Sequence, residues 1–276
     1  MIKKCLFPVA GYGTRFLPAT KSMPKEMLPI VDKPLIQYGV EEAMLAGLTD
    51  LGFVNGRNKR AIPDHFDINY ELEAEIAGSG KEEKLSTIRE VMAACTFSYT
   101  RQNQMQGLGH AILCGRTLMG DQPFGVVLAD DLCINDSGPL VMSQLVNLYK
   151  QFRCTILAVQ EVPESEVDKY GVIAGEALSD NLIRVTDMVE KPAPSQAPSN
   201  LAVIGRYVLT PDIFDIIENT EPGINGEVQL TDAILTQARQ GCVIACKFEG
   251  ERFDCGSVSG FVEATNTIYQ KRLDRV

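Results

Sequence analysis

Three short stretches of this chain carry residues whose types and spacing could handle phosphate and a divalent ion. The first is Ala10-Gly11-Tyr12-Gly13-Thr14-Arg15-Phe16-Leu17-Pro18, which follows an apolar run. Glycines directly after a strand let backbone N–H groups close around phosphate oxygens, an approach that a Cβ would obstruct. A tight turn would use the same residues. The second is Val126-Val127-Leu128-Ala129-Asp130-Asp131. A hydrophobic strand ending in acid sets a carboxylate at the ligand edge of a sheet. Side chains alternate along a strand, so only one of the two acids need face a metal; the plain alternative is a turn. The third is Val189-Glu190-Lys191-Pro192, either a ligand-facing acid and base or an exposed ion pair.

The charge distribution bears on what such groups would meet. The chain has 276 residues and a net charge of −10, with a pI near 4.8. That balance argues against a nucleic-acid polymer or an anionic membrane as the partner. Residues 1–33 differ: Lys3, Lys4, Arg15, Lys21, Lys25 and Lys33 stand against Glu26 and Asp32, so this stretch is +4 and the remainder carries −14. A basic island on an acidic protein fits a small polyanion better than a polymer, although solvated lysines would give the same count.

Hydrophobic residues at 45% and charged residues at 22% mark an ordinary globular chain. No apolar run approaches the roughly 20 residues needed to span a bilayer. The apolar N-terminal stretch is short and runs into the glycine loop, so it reads as a first strand rather than a leader. The expected compartment is the cytoplasm. The eight cysteines form no Cys-x-x-Cys pair, and Cys242 and Cys246 lie in an apolar segment expected to be a buried strand. They read as small hydrophobes in a reducing compartment.

Two dinucleotide and nucleotide motifs are excluded by position. A Rossmann fingerprint needs a small residue where Phe16 stands, and the Walker Gly-Lys-Ser/Thr is missing. Gly78-Ser79-Gly80-Lys81 is followed by Glu82 and lacks the leading glycine, so it reads as a loop.

These groups need a scaffold, and the periodicity supplies one. Strands are expected at 4–10, 51–55, 96–100, 125–129 and 155–160, with helices at 35–46, 70–77, 82–94, 109–119 and 140–152. Such alternation implies an α/β fold: a doubly wound, mostly parallel, Rossmann-like mixed sheet flanked by helices. Ligands of such sheets bind beyond the carboxyl ends of the strands. After residue 160 the texture changes to a hairpin at 170–176 and 182–189 and a strand at 201–209. Helices follow at 211–218 and 229–239, then a last strand at 243–248 and a terminal helix at 257–272. The Pro-rich 192–198 reads as an exposed loop. One domain over 1–276 is expected, with parts to about 160, at about 161–254 and, as the terminal helix, from about 255; the family that the motifs below resemble would use the first for a nucleotide and the second for a sugar.

The glycine loop continues into Leu17-Pro18-Ala19-Thr20-Lys21 and Pro24-Lys25-Glu26-Met27-Leu28-Pro29. This wording resembles the signature of the sugar-phosphate nucleotidyltransferases, in the branch of bacterial enzymes that uridylylate glucose 1-phosphate. Further motifs follow in family order across nearly the whole chain. They are Asp32-Lys33-Pro34-Leu35-Ile36-Gln37-Tyr38, Gly107-Leu108-Gly109-His110-Ala111, Val189-Glu190-Lys191-Pro192 and Ser199-Asn200-Leu201-Ala202. Gly205-Arg206-Tyr207 and Gln229-Leu230-Thr231-Asp232-Ala233 complete the series.

The resemblance implies attack by the phosphate of glucose 1-phosphate on the α-phosphorus of UTP, with Mg²⁺ as cofactor. The nucleophile is already an anion, so catalysis reduces to positioning, cationic side chains and a metal. Like charges about 4 Å apart repel by about 4 kcal/mol at an effective dielectric near 20, so the anions need local cations. By resemblance, Arg15 and Lys25 meet the UTP phosphates over a cradle of Gly11, Gly13 and Thr14. Lys191 holds the sugar phosphate, and Asp130 and Asp254 bind the metal while Asp131 supports the turn. Gln102, with Gln104 as competitor, reads uracil beside the backbone of Ala10, Gly11 and Gly107. Glu190 accepts from glucose hydroxyls, with backbone at Gly171 and Val203 assisting. His110 and His65 are expected to be structural.

Asn55, Ala129 and Asn225 depart from the residues relatives often carry there. Rival readings are a thymidylyltransferase, an inactive paralogue acting as a regulatory partner, and a nicotinamide-dependent dehydrogenase. The family and the terminal helix imply a homodimer or homotetramer.

Overall fold

The computed structural model describes residues 2–223 and 226–274, and Asn225 lies outside them. The strands are β1 (Lys4–Val9), β2 (Pro29–Ile30), β3 (Lys33–Pro34), β4 (Asp50–Asn55), β5 (Thr96–Arg101), β6 (Phe124–Val127) and β7 (Asp131–Ile134). They continue with β8 (Thr155–Glu161), β9 (Gly171–Ala177), β10 (Leu182–Glu190), β11 (Leu201–Leu209), β12 (Val243–Lys247) and β13 (Glu251–Asp254). The helices are α1 (Leu35–Leu45), α2 (Ala61–His65), α3 (Tyr70–Ile76), α4 (Ser86–Ala94), α5 (Gly107–Cys114), α6 (Arg116–Met119), α7 (Val141–Phe152), α8 (Ile213–Glu218), α9 (Leu230–Gln240) and α10 (Val258–Leu273).

Nine strands form one sheet in the order β5-β4-β1-β6-β11-β8-β12-β10-β9. β5, β4, β1 and β6 pair in parallel, as do β8 and β12. β11 and β10 run the other way against their neighbours. Following the pairings, seven of the nine strands share one direction, so the expected mixed α/β sheet is present with two reversed strands inserted. β9 also pairs with the start of β11. Strands β11, β8, β12, β10 and β9 therefore close a circuit, which the sequence did not suggest.

Both faces of the sheet are covered, which explains the near-continuous apolar strands. Leu6 and Phe7 are neighbours on β1 and point to opposite faces. Phe7 packs with Phe53, Ile36, Val40 and Leu145 under α1 and α7. Leu6 packs with Val126, Ile112, Phe214 and Ile234 under α5, α8 and α9.

The departures are local or long-range. The helix expected over 109–119 divides at Gly115, and the one over 82–94 opens with a 3₁₀ turn before α4. The strand expected over 125–129 stops at Val127. β12 is not the last strand, because β13 follows and pairs antiparallel with β7. Cys246 is buried as expected, but Cys242 precedes β12 and is exposed. Burial pushes the Cys133 and Cys255 thiols up to about 12, which keeps them neutral.

Candidate active site

The first group of candidate residues sits at the carboxyl ends of β1 and β6. Ala10 is buried at the end of β1 and the loop beyond it turns through Gly13, whose φ of 67° lies in the left-handed region that favours glycine. Thr20 Oγ1 donates to the Gly13 carbonyl at 2.7 Å and closes the loop. Thr14 and Arg15 belong to the short 3₁₀ turn Thr14–Phe16, and Lys25 opens another, Lys25–Met27. Lys25 Nζ donates to Asp130 Oδ2 at 2.6 Å. Burial favours the neutral form of both groups, yet their mutual attraction wins: the ammonium is held above the usual lysine range and the carboxyl below the usual carboxylate range.

Asp254 ends β13 opposite Asp131 of β7. Gly256 marks where the charges converge. An ideal Cβ placed there would lie 3.0 Å from Asp254 Oδ1, 3.1 Å from Asp130 Oδ2 and 3.4 Å from Arg15 Nη1. Two carboxylates therefore face one small space beside a guanidinium, and the missing side chain keeps that space open. Among the described residues no cluster of three or more His, Cys, Asp or Glu could hold a metal. Hard oxygen donors from two carboxylates, completed by phosphate oxygens and water, suit the octahedral preference of Mg²⁺.

Asp131, which opens β7 just after Asp130, is tied into the fold. Its Oδ2 accepts from the Gly205 amide at 2.9 Å and its Oδ1 from Arg252 Nε at 2.5 Å. Arg252 also donates to the Tyr170 hydroxyl at 3.0 Å. Beneath them Arg206, only 1% exposed, donates to Glu42 Oε2 at 2.8 Å and to the Leu128 and Asp131 carbonyls. This network braces the turn that presents Asp130. Asp131 supports the turn as expected by resemblance, whereas Arg206, Arg252 and Glu42 carry no role in the sequence reading. The available signal was an arginine inside the otherwise apolar strand Leu201–Leu209, since a buried guanidinium demands several acceptors.

Asp130 and Asp131 both line a cavity of about 690 Å³. Arg15, Asp130, Asp254, Gly171, Glu190, Lys191 and Val203 all line it, together with Tyr207, Thr231 and Arg252. Gly171 and Glu190 are cross-strand partners in the β9–β10 pair. Glu190 Oε2 accepts from Thr231 Oγ1 at 3.2 Å, and a Cβ on Gly171 would strike Thr231 Cγ2 at 2.5 Å. Lys191 follows β10 with φ 46°, a strained value for a side-chain-bearing residue, while its amide donates to the Tyr170 carbonyl at 2.9 Å. Lys191 Nζ stands 3.3 Å from Glu190 Oε1 and remains half exposed. Burial, with Glu190 adding to it, pushes the Tyr207 phenol upward, so it stays protonated as a wall of the cavity.

Gln102, Gly107, Ala10 and Gly11 do not line this cavity. Gln102 follows β5, Ala10 and Gly11 follow β1, and Gly107 opens α5. Gln102 is buried and its Nε2 lies 3.1 Å from the Gly107 carbonyl and 3.0 Å from His110 Nδ1. Gln104 is exposed. His65 packs edge-on against Phe66 and bonds Gln37 Oε1 at 2.9 Å. Asn55, one of the unusual residues, is buried at the end of β4 with its Oδ1 unpartnered among the described residues.

Residues 8–271 match the family described as Nucleotidyl transferase. A UTP--glucose-1-phosphate uridylyltransferase of Pseudomonas aeruginosa is 66% identical over 270 residues, covering 98% of this chain and 97% of that protein. A crystal structure of UDP-glucose pyrophosphorylase complexed with UDP-glucose superposes with a TM-score of 0.93 at 57% identity, covering 98% of this chain and 100% of the other. UTP-bound UGPase from Acinetobacter baumannii gives 0.88 at 40% identity, covering 97% and 93%. With its loop, acid pair and Glu-Lys pair gathered at one end of the sheet, the chain belongs to the nucleotidyl transferase family.

Proposed function

We propose that this chain joins UTP and glucose 1-phosphate into UDP-glucose and pyrophosphate, the reaction named for its uridylyltransferase relatives. The observation that carries the reading is the meeting of Arg15 and Lys191, 176 positions apart, on one cavity that also holds Asp130 and Asp254. Each phosphate brings negative charge, and cations from both halves of the chain offset the repulsion as the two ligands approach.

The residues take distinct tasks. Lys25 and Arg15 bind the triphosphate over the Gly11, Gly13 and Thr14 loop, and the planar fork of Arg15 suits a migrating phosphoryl group. Gln102 reads the uracil edge, with the backbone of Ala10, Gly11 and Gly107 beside it. Lys191 holds the phosphate of glucose 1-phosphate so that its oxygen faces the α-phosphorus. Glu190 accepts from sugar hydroxyls, and Gly171 and Val203 leave backbone within reach of the ring. Asp130 and Asp254 would hold Mg²⁺, which when bound supplies charge stabilisation at the phosphate oxygens. The first 160 or so residues thus serve the nucleotide and the segment to Asp254 serves the sugar.

Two further properties belong to this reading. The chain works in the cytoplasm; among the described residues no helix is long and apolar enough to cross a membrane. It also works as a homodimer or homotetramer, supported by Val258, Val262, Tyr269 and Leu273 exposed on α10. Light scattering tests the assembly. The reaction itself is tested by pyrophosphate release across UTP and dTTP with several sugar 1-phosphates, with and without Mg²⁺. UTP with glucose 1-phosphate and Mg²⁺ should give the highest rate; a clear dTTP preference or indifference to Mg²⁺ would overturn the reading.

A further inference from the structure

Behind Lys25 lies an ion pair that the reaction does not explain. Lys59, in the loop after β4, is 7% exposed and donates to Glu26 Oε2 at 2.6 Å. Glu26 is 1% exposed and follows Lys25 directly in the chain. Two lysines therefore flank one buried glutamate, and the second of them holds Asp130 at 2.6 Å.

Stability is a poor reason for this arrangement. Burying both members of an ion pair costs several kcal/mol per ion, and apolar replacements are often neutral or stabilising. The local geometry offers a better one. Lys25 and Glu26 share a three-residue turn, Lys25–Met27. The ammonium of Lys25 feels Asp130 and Glu26 together. If Lys59 were absent, the buried Glu26 carboxylate would have Lys25 as its nearest cation and would compete with Asp130 and with substrate for it. Burial already strains the pair from both sides, raising the Glu26 carboxyl and lowering the Lys59 ammonium.

We propose that Lys59 is a positioning residue for the transfer reaction: by neutralising Glu26 it leaves Lys25 aimed at Asp130 and the substrate phosphates. Lys59 itself touches no substrate. The inference rests on the role given to Lys25 above.

A double-mutant cycle on turnover tests it. Lys59→Met should lower kcat by about 10- to 100-fold while KM for glucose 1-phosphate moves less than about threefold. In a Lys25→Met background, removing Lys59 as well should change kcat by less than about twofold, because its effect passes through Lys25. Adding Glu26→Gln to Lys59→Met removes the competing carboxylate and should recover most of the lost rate, as should Lys59→Arg, which restores the pair. Multiplying rather than overlapping losses in the Lys25→Met background would overturn the inference, and so would failure of Glu26→Gln to recover rate. Should Lys59→Met fail to fold, the doubly neutral Lys59→Met/Glu26→Gln variant gives the reading: a rate close to wild type supports it, and one as low as Lys25→Met overturns it. A wild-type rate in Lys25→Met alone would instead remove Lys25 from the mechanism, a separate failure.

Discussion

The two halves of this site are built in different ways. On the side proposed for the nucleotide, β5, β4, β1 and β6 run parallel, and the groups proposed to meet it sit in loops past strand ends: Gln102, Ala10, Gly11 and Asp130. On the side proposed for the sugar, strands β11, β8, β12, β10 and β9 close a circuit, and Gly171, Glu190 and Val203 come from the strands themselves, with Gly171 opposite Glu190 and Lys191 just past β10. The cavity of about 690 Å³ lies where the two meet, lined by Arg15 and Asp130 from the first and by Gly171, Glu190 and Lys191 from the second. Loops past parallel strands suit a polyanion gripped by backbone and cations. A closed circuit suits a hydroxyl-rich ring enclosed by fixed walls.

Removing the group at the seam should damage both halves at once. Asp130→Ala should lower kcat by about 10³-fold or more while far-UV circular dichroism stays unchanged; wild-type-like turnover would remove Asp130 from the chemistry. A change confined to the sugar side comes next. Lys191→Ala removes a charge-assisted contact worth about 1.5–3 kcal/mol, so KM for glucose 1-phosphate should rise about 10- to 150-fold with KM for UTP nearly fixed. Equal shifts in both constants would erase the division between halves.

The mirror experiment lies just past β5. Gln102→Ala should raise KM for UTP about two- to tenfold, the worth of a neutral hydrogen bond, and leave glucose 1-phosphate unaffected. The smallest effect concerns pH and the packing of His65 against Phe66. Burial holds the His65 imidazole below its ordinary value. The unfolded chain then binds more protons in the window below about 6.5, so stability is full above that value and falls on acidification through it. Urea unfolding of wild type and His65→Asn between pH 7 and 5 should show this loss in the wild type alone; identical slopes would refute it.

The same contrast explains what the sequence disclosed. The Gly11–Arg15 loop and the Asp130 strand end were legible because parallel strands place function at their ends, next to local signals in the chain. Glu190-Lys191 was legible as a pair, but its wall was not: Thr231 and Tyr170 reach it only through tertiary packing. The closing of β9 onto β11 depends on a pairing that no local periodicity encodes. β7 and β13 are four residues each and find one another across more than 100 positions, so neither stood out. Arg206 and Arg252 were hidden for a related reason. A charged residue within a strand reads as solvent-facing until its acceptors, here Glu42 and Asp131, arrive from elsewhere.

A crystal structure of the chain with UDP-glucose and Mg²⁺ would test the central claim most directly. The account predicts the diphosphate within hydrogen-bonding distance of both Arg15 and Lys191, with Asp130 and Asp254 turned toward it. A diphosphate bound elsewhere, or contacting only one of those two cations, would contradict the convergence on which the mechanism depends.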